Sequence, residues 1–248
     1  MKVAIMQPYF FPYIGYWQLI NAVDIFVMLD DVNFIKRGYI NRNSILINGK
    51  PYLFSVPIKD VSQNRLIKDT ELCFGEKEKK KFLARVETAY RRAPFFDTVF
   101  PLLKTAIEFD TESLTDYVGS SIEAIIRYLK IDVTVAKSSE IEKNNALTGQ
   151  DRILEICRRI RADIYINPSG GRKLYDAEKF RENGIELFFL DTKFGGVTYR
   201  QFTDRFVENL SIIDVLMFNS VERVKELLEE YELNGERKEN IHGHCPAL

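Results

Sequence analysis

Histidine is nearly missing from this sequence. The chain has 248 residues and two histidines, His242 and His244, which both lie near the C-terminal end. Because no histidine occurs elsewhere, the body of the chain cannot assemble a Ser-His-Asp or Cys-His catalytic arrangement. A general base must therefore be a carboxylate, a lysine or a tyrosine, or the protein acts mainly by positioning its ligands.

Cysteine is scarce as well. Cys73, Cys157 and Cys245 are odd in number, lie far apart and form no C-x-x-C pair, so no disulfide framework is predicted. We expect Cys73 and Cys157 to be buried, as free cysteines commonly are. Cys245 with His242 and His244 offers only three of the four ligands of a structural zinc site, so we predict no metal site.

The sequence has neither a charge excess nor a long apolar run. Its 35 Lys and Arg residues nearly balance 36 Asp and Glu residues, which argues against a dedicated nucleic-acid binder. Apolar runs of about 18 residues are missing, so no membrane span is predicted. The N-terminal residues lack the apolar stretch and cleavage site of a signal peptide, and we expect a cytoplasmic protein.

Short apolar runs separated by helical patterns predict an α/β fold. Residues 3–6 and 25–29 are typical of buried strands, and a short helix fits between them after Pro12. Such a strand, helix and strand indicate a parallel βαβ unit. Residues 44–56 predict a β-hairpin, because Asn48-Gly49 accepts the positive φ angles of a tight turn.

The middle of the chain is predicted to be helical. Ser113 and Asp116 form a capping-box pattern before an apolar stripe that extends to residue 130. Further helices are predicted over residues 76–92, 95–109, 148–161, 175–182, 212–218 and 221–230, with Thr148 as a cap, and further strands over residues 131–135, 164–166 and 186–190. The sequence thus predicts a mostly parallel central sheet with flanking helices and a helical middle segment.

These patterns indicate one domain with an insertion. Residues 1–74 are predicted to form an N-terminal α/β half that carries an aromatic ligand loop, and residues 75–130 a helical insertion. Residues 131–220 complete the same domain, and residues 221–248 form a C-terminal helix with a polar, mobile tail.

The aromatic loop that follows the first strand is the most unusual segment. We predict that its residues bind substrate, because ligands of parallel sheets lie beyond the carboxyl ends of the strands. The alternative is an aromatic plug that covers the sheet edge. The loop has the frame of the H-x-G-H motif of nucleotidyltransferases, with tyrosines in place of the histidines, and a phenol cannot supply an imidazolium charge. The predicted ligand residues are Gln7, Tyr9, Tyr13, Gly15 and Tyr16.

Two carboxylates end the second strand at the same rim. Asp30 and Asp31 could hold Mg²⁺ beside a phosphate, or hydrogen-bond a ribose or an amino group. The alternative is a cap or turn pair. With no usable histidine, we predict Asp30 and Asp31 as the catalytic residues.

Cations, asparagines and aromatic residues are concentrated in residues 34–43. Arginine matches a diphosphate with two parallel hydrogen bonds, and lysine adds a point charge. Single-stranded nucleic acid would also suit this mixture, but the net charge favours a diphosphate on a small molecule. The predicted binding residues are Lys36, Arg37, Arg42 and Asn43.

A glycine pair follows a predicted strand near residue 166. Consecutive glycines expose backbone N–H groups beside a helix start, which is a plausible anion nest, although the spacing is not that of a P-loop. A plain Gly-Gly turn is the alternative. The predicted binding residues are Ser169, Gly170, Gly171, Lys173 and Tyr175.

The sequence resembles the WbqC-like protein family. The resemblance rests on residues 6–16, Arg42-Asn43, residues 92–96, residues 167–171 with Leu174-Tyr175, and residues 210–214 with Phe218-Asn219. The family is associated with bacterial O-antigen and surface-polysaccharide gene clusters. The resemblance therefore implies a role in making or decorating activated sugars, some of which are amino sugars that carry an aminoacyl group such as glycyl.

The residues and the resemblance together predict an enzyme that forms an amide on a nucleotide-linked amino sugar. Its second substrate would be an activated amino acid or another acyl donor, and ATP with Mg²⁺ is the candidate cofactor. The alternative is a non-catalytic partner that binds a nucleotide sugar or a glycan within a biosynthetic complex. A glycosyltransferase would need a D-x-D motif, which Asp30-Asp31-Val32 does not provide.

Overall fold

A computed structural model describes residues 1–235, which build one six-stranded sheet, a separate hairpin and helices on both sheet faces. The predicted α/β fold is confirmed. The strands are β1 (Lys2–Met6), β2 (Ile25–Met28), β3 (Arg42–Ile47), β4 (Lys50–Ser55), β5 (Thr134–Lys137), β6 (Ile164–Pro168), β7 (Glu186–Thr192) and β8 (Tyr231–Gly235). The helices are α1 (Ile14–Asn21), α2 (Glu76–Tyr90), α3 (Phe96–Glu108), α4 (Leu114–Leu129), α5 (Gly149–Arg159), α6 (Ala177–Glu182), α7 (Ile212–Phe218) and α8 (Val221–Leu228).

The order of strands across the sheet decides where a ligand can bind. The order is β5-β2-β1-β6-β7-β8; every neighbouring pair is parallel except β7 with β8. The hairpin strands β3 and β4 are not part of this sheet. When its six strands are numbered in chain order, their order across the sheet is 3-2-1-4-5-6, which is that of a doubly wound fold. The direction of winding reverses between β1 and β6. In such sheets ligands bind beyond the carboxyl ends of the strands at this switch point.

The central strands form because their side chains are apolar on both faces. Val3 and Ile5 of β1 pack in one hydrophobic cluster with residues of α5 and α6, while Ala4 packs in a larger cluster with residues of α1 and α4. This two-sided burial is typical of parallel strands. The side chains of β1 are thereby fixed, and the loop that follows β1 leaves the sheet from a rigid strand end.

The hairpin and the helical segment cover the larger cluster. Asn48 and Gly49 both have positive φ, as the predicted tight turn requires. Phe82 of α2 packs edge-on against Phe54 of β4, and Ser113 caps α4 by accepting a hydrogen bond from the Asp116 backbone N–H (3.2 Å), as predicted. The division into two α/β halves and an insertion stays a prediction, although α2, α3 and α4 do occupy residues 76–129.

Several local predictions were wrong. The strand expected at residues 131–135 begins at Thr134, because Lys130 adopts a left-handed cap and Ile131 still bonds back to α4. Thr148 stands at the start of α5, but its side chain makes no capping hydrogen bond. Strand β8 was not predicted, since its sequence Tyr-Glu-Leu-Asn-Gly has no apolar run and it forms by pairing with the edge of β7.

Cysteine and chain-end predictions had mixed outcomes. Cys157 is buried, as expected, and burial raises the pKa of its thiol to about 12, so it stays protonated. Cys73 is exposed, contrary to expectation. The tail residues His242, His244 and Cys245 lie outside the described residues. Within residues 1–235, no helix has both the length and the apolar character needed to cross a membrane.

Candidate functional site

A cavity of about 480 Å³ opens at the switch point of the sheet, and we call it the switch-point cavity. The loops after β1, β2 and β6 and the start of α5 form its wall. Its size is that of a small-molecule pocket. Three residues predicted from the sequence lie in this wall, Gln7, Asp31 and Tyr175, together with Asn33, Gly149 and Arg152, which were not predicted.

The two carboxylates after β2 have different surroundings. Asp30 is buried and accepts hydrogen bonds from the Ser139 backbone N–H (2.9 Å) and the Ser139 hydroxyl (2.7 Å). The Ser138 hydroxyl lies 3.1 Å from Asp30 Oδ1 and 2.5 Å from Asp31 Oδ1, so its single proton is shared between the two carboxylates. It does not line the switch-point cavity, whereas Asp31 does. Of the predicted catalytic pair, only Asp31 therefore borders the cavity.

A buried lysine lies directly behind Asp31. Lys143 Nζ is 2.6 Å from Asp31 Oδ2, and the Lys143 side chain is only 1% exposed. The same ammonium donates to the Ser138 carbonyl. Burial raises the pKa of Asp31, but hydrogen bonds from Lys143 and Ser138 and the nearby Arg152 charge outweigh it, so the pKa lies below its usual range. Asp31 is thus ionised at neutral pH.

Arg152 ties the loop after β5 to the end of β2. Its guanidinium donates to the Asp31 carbonyl (2.8 Å), the Leu147 carbonyl (2.8 Å) and the Asn145 carbonyl (2.9 Å). These bonds fix the position of residues 145–149, which lead into α5. Sequence reasoning missed Lys143 and Arg152, because only the strand order places the loop after β5 beside β2.

The amino end of α5 faces the switch-point cavity. Gly149, the first residue of α5, has φ +53°, and no atom outside its chain neighbours lies within 4 Å of where a Cβ would stand. A ligand can therefore approach the backbone closely here. The first N–H groups of a helix and its dipole favour an anion. With Arg152 nearby, this is the positive side of the cavity.

A second cavity, of about 340 Å³, lies on the other side of the loop that follows β1, and we call it the aromatic cavity. Tyr9, Tyr13, Tyr39, Phe194 and Asn43 line it. The Tyr9 ring stacks on Tyr16 with 5.3 Å between the centroids. Burial, followed by the neighbouring phenols, raises the pKa of Tyr9 and Tyr13, so both remain neutral hydrogen-bond donors.

The loop between the two cavities is strained. Phe11 is buried and has φ +42°, a left-handed conformation that costs a bulky residue on the order of 1–3 kcal/mol. Its carbonyl accepts hydrogen bonds from Asn43 Nδ2 (2.8 Å) and the Ser211 hydroxyl (2.7 Å), which fix this conformation. Such strain is concentrated at functional sites. The two bonds thereby hold in place the segment that carries Tyr9 and Tyr13 into the wall of the aromatic cavity.

Gly15 is required where α1 begins below the aromatic cavity. A Cβ on Gly15 would lie 2.5 Å from Tyr13 Cε2 and 2.9 Å from Thr192 Oγ1. We expect Gly15→Ala to displace the Tyr13 ring and to lower the free energy of unfolding by about 1–3 kcal/mol, as overpacking does. Urea unfolding measures this change. The matched control is Gly170→Ala, where nothing lies within 4 Å; equal losses would contradict the prediction.

The predicted cationic binding loop is only partly available to a ligand. Arg42 donates to the Gly38 carbonyl (2.8 Å) and to the Arg37 carbonyl, and Asn43 holds the Phe11 carbonyl. Arg42 and Asn43 thus donate to backbone carbonyls in this structure, and their role as phosphate ligands stays a prediction. Lys36 and Arg37 are exposed on the loop that carries Tyr39, and neither lines the switch-point cavity.

The glycine pair forms a 3₁₀ turn, Ser169–Leu174, rather than an open nest. A hydrogen bond from Ser169 is the main reason that the pKa of Asp191 is lowered, so a carboxylate already occupies this hydroxyl. A Cβ on Gly171 would lie 2.8 Å from Asn167 Nδ2. Lys173 is exposed, and of the five binding residues predicted here Tyr175 alone lines the switch-point cavity. The anion-nest role of this turn is not supported by these contacts.

The carboxylates do not form a recognisable magnesium site. Lys143 occupies the cation position beside Asp31, and Asp30 is saturated by serine donors. No group of three or more His, Cys, Asp or Glu side chains suited to a metal occurs among residues 1–235. Because these side chains do not fit Mg²⁺, we assign the ion no role at this site. ATP stays a prediction from the sequence.

Comparisons with known proteins agree with the resemblance in the sequence. The model of the WbqC-like protein family matches residues 7–226. Over 220 residues the chain is 29% identical to "Uncharacterized protein Rv1507c" of Mycobacterium tuberculosis (strain ATCC 25618 / H37Rv). The aligned region covers 88% of this chain and 93% of that protein. No solved structure matches the chain. The matched region contains both cavities.

Proposed function

This chain belongs to the WbqC-like protein family, and from that premise we propose that it forms an amide on a nucleotide-linked amino sugar. The proposed setting is bacterial surface-polysaccharide biosynthesis, which the family resemblance implies. The substrate class is supported by the two cavities at the carboxyl end of the sheet. The chemistry is supported by Asp31, the carboxylate in the wall of the switch-point cavity.

The switch-point cavity is the observation that carries the proposal. Doubly wound sheets of this strand order bind nucleotides at this position, with the phosphates at a helix amino end. Here that end is the open backbone at Gly149 on α5. Arg152 adds a positive charge to the same wall, although its guanidinium already donates to three backbone carbonyls. Gln7 and Asn33 add amide groups that can hydrogen-bond a sugar or a base. We therefore assign the diphosphate to this cavity.

The aromatic cavity suits the other end of the same ligand. Tyr9 and Tyr13 offer ring faces and neutral hydroxyl groups, which is a surface for stacking a base or a sugar. Residues of one loop, from Gln7 to Tyr13, line both cavities. In this proposal one ligand places its ring in the aromatic cavity and its diphosphate in the switch-point cavity.

Asp31 would orient the sugar amine and receive its proton. The amine nitrogen attacks the carbonyl carbon of the acyl donor, a C–N bond forms, and the bond to the leaving group breaks. The proton lost by nitrogen passes to the Asp31 carboxylate, which is ionised because of Lys143 and Ser138. The acyl donor arrives already activated or is activated with ATP. Positioning supplies the remaining rate enhancement.

One observation favours the second candidate, a non-catalytic protein that binds a nucleotide sugar or a glycan. Asp31 is tightly paired with Lys143, and Asp30 is turned away from the cavity. A carboxylate with a lowered pKa is a weaker base than catalysis usually selects. The two cavities could bind the same ligand without any catalytic base.

A panel of nucleoside-diphosphate sugars tests the substrate class. We expect a dTDP- or UDP-amino sugar to raise the melting temperature, because a ligand at 100 times its Kd stabilises the folded state by about 2.7 kcal/mol. Differential scanning calorimetry measures the shift. A flat response to every nucleotide sugar, with a shift for a free glycan, would replace the substrate class by a glycan.

A blocking variant connects this shift to the switch-point cavity. Leu174 is 70% exposed and lines the cavity mouth, so Leu174→Trp should fill the mouth without disturbing the core. We expect it to weaken nucleotide-sugar binding at least about tenfold, which is about 1.4 kcal/mol. Leu53→Trp is the control, since Leu53 is 53% exposed on the hairpin and outside both cavities. Equal affinity in both variants would place the ligand elsewhere.

A further inference from the structure

A third cavity, of about 630 Å³, lies away from the two described above, and we call it the arginine cavity. It is formed where the turn between α2 and α3 meets the loop after β7 and the end of α7. Arg92 and Arg200 line it, with Phe202, Phe218, Thr203 and Asp204. The segments around Arg92 and Phe218 are among those that resemble the family, yet the proposed function does not use them.

The two guanidinium groups have no partner of opposite charge. Within residues 1–235, neither Arg92 nor Arg200 makes an ion pair or donates a hydrogen bond, whereas the neighbouring Arg91 pairs with Glu87 at 3.4 Å. Asp204 lines the same cavity and, within residues 1–235, is also unpaired, so the lining carries two cations and one carboxylate. An arginine fork matches the two oxygens of a phosphate or a carboxylate. The cavity therefore has an unmet preference for an oxyanion.

Aromatic rings give this cavity an apolar wall. The Phe202 ring meets Phe218 edge-on with 4.8 Å between the centroids, and the Arg92 guanidinium lies 5.7 Å from the Phe202 centroid. Phe202 is 45% exposed, so part of its ring is open to a ligand. A ligand that brings a ring or an apolar chain beside its oxyanion would cover this ring.

The loop that carries Arg200 and Phe202 is anchored from below. Gln201 is buried, and its side chain donates to Asp214 Oδ2 (2.7 Å) and to the Val207 carbonyl (3.1 Å), while its Oε1 accepts from the Val207 N–H (2.8 Å). Tyr90 and Tyr199 also donate to Asp214, each at 2.8 Å. This network holds the loop in one conformation, so the arginine cavity is preformed.

We infer that the arginine cavity is a second ligand site, which binds a small molecule with a phosphate or carboxylate group next to an apolar ring or chain. Arg92 and Arg200 bind the oxyanion, and Phe202 with Phe218 covers the apolar part. Thr203 is not a free donor here, because its hydroxyl donates to the Arg205 carbonyl (2.7 Å). The site is independent of the proposed function.

Arginine NMR tests this site directly. The full chain is labelled with ¹⁵N-arginine and titrated with inorganic pyrophosphate, and separately with malonate, at constant ionic strength. We expect the Nε–Hε signals of Arg92 and Arg200 to shift and saturate with one dissociation constant, while the Arg91 signal stays in place. Saturation by pyrophosphate alone identifies a phosphate ligand, and saturation by malonate alone identifies a carboxylate ligand.

Matched variants complete the test. Arg92→Gln and Arg200→Gln should each weaken binding roughly 10- to 100-fold, the range of one charge-assisted hydrogen bond, and Arg91→Gln should leave it unchanged. Arg92→Lys keeps the positive charge near Phe202 but lacks the two parallel N–H donors of the guanidinium, so it should also weaken binding. Leu174→Trp should have no effect, which separates this site from the switch-point cavity. Two results would overturn the inference. One is a shift of all arginine signals together that rises linearly with ligand concentration; the other is an equal loss of affinity in Arg91→Gln.

Discussion

Replacing Lys143 by methionine should lower the free energy of unfolding by about 3–5 kcal/mol, the cost of breaking a buried ion pair by removing one partner. The Lys143 side chain is 1% exposed and that of Asp31 is 6% exposed, so the pair is largely shielded from water. Asp31 would keep the hydrogen bond from the Ser138 hydroxyl (2.5 Å) and the Arg152 guanidinium at 3.8 Å. Chemical denaturation at pH 7 measures the loss.

The double variant Asp31→Leu/Lys143→Met is the control for this result. Removing both charges leaves no unpaired ion in the interior, and such exchanges are often neutral or stabilising. We therefore expect the double variant to recover most of the stability that Lys143→Met loses. If Lys143→Met and wild type unfold at the same denaturant concentration, the ion pair contributes nothing and Lys143 does not set the charge of Asp31.

The same pair fixes the direction of the pH dependence. The pKa of Asp31 is lower in the folded protein than in the unfolded chain, so its ionisation favours folding. This contribution is present above the unfolded pKa, about 3.9, and is lost as the pH falls through the lower, folded value. The double variant should accordingly lose less stability than wild type on acidification below about pH 4.

The sequence predicted which residues lie at the carboxyl ends of the strands better than it predicted their contacts. Gln7 and Asp31 were placed correctly, because apolar runs identify β1 and β2 and polar residues directly after them must lie at the carboxyl ends. The tight turn at Asn48-Gly49 and the cap at Ser113 also follow from local backbone preferences. Each of these features depends on neighbouring residues alone.

The features that were missed depend on contacts between distant segments. Lys143 and Arg152 come near Asp31 only because β5 pairs with β2, an order that no local pattern contains. Arg42 and Asn43 were predicted to bind phosphate, yet backbone carbonyls satisfy the same donors. Which acceptor a donor meets depends on the path of the chain, here on the left-handed turn at Phe11.

Neutralising Asp31 should reduce the proposed turnover by roughly 10²–10⁴, the usual share of general-base catalysis. Asp31→Asn alone would leave Lys143 unpaired, so the informative variant is Asp31→Asn/Lys143→Gln, which exchanges the ion pair for two neutral amides. We expect it to fold and to bind the nucleotide sugar with little change, since the backbone at Gly149, to which the diphosphate is assigned, is untouched. Asp30→Asn is the matched control, because Asp30 is a neighbouring carboxylate that does not line the cavity.

The assay supplies purified protein, a dTDP-amino sugar, glycine and ATP, or an aminoacyl donor without ATP, and reads the mass of the sugar. A glycyl-sized gain with AMP release identifies an ATP-dependent ligase, whereas a gain that needs only the donor identifies a transferase. In either case the rate should fall with the Asp31 variant and change less than about tenfold in Asp30→Asn. If the Asp31 variant turns over at the wild-type rate, Asp31 is not the general base. Binding of the sugar nucleotide without a mass gain from any donor would establish the non-catalytic candidate, for which the Asp31–Lys143 pair is purely structural.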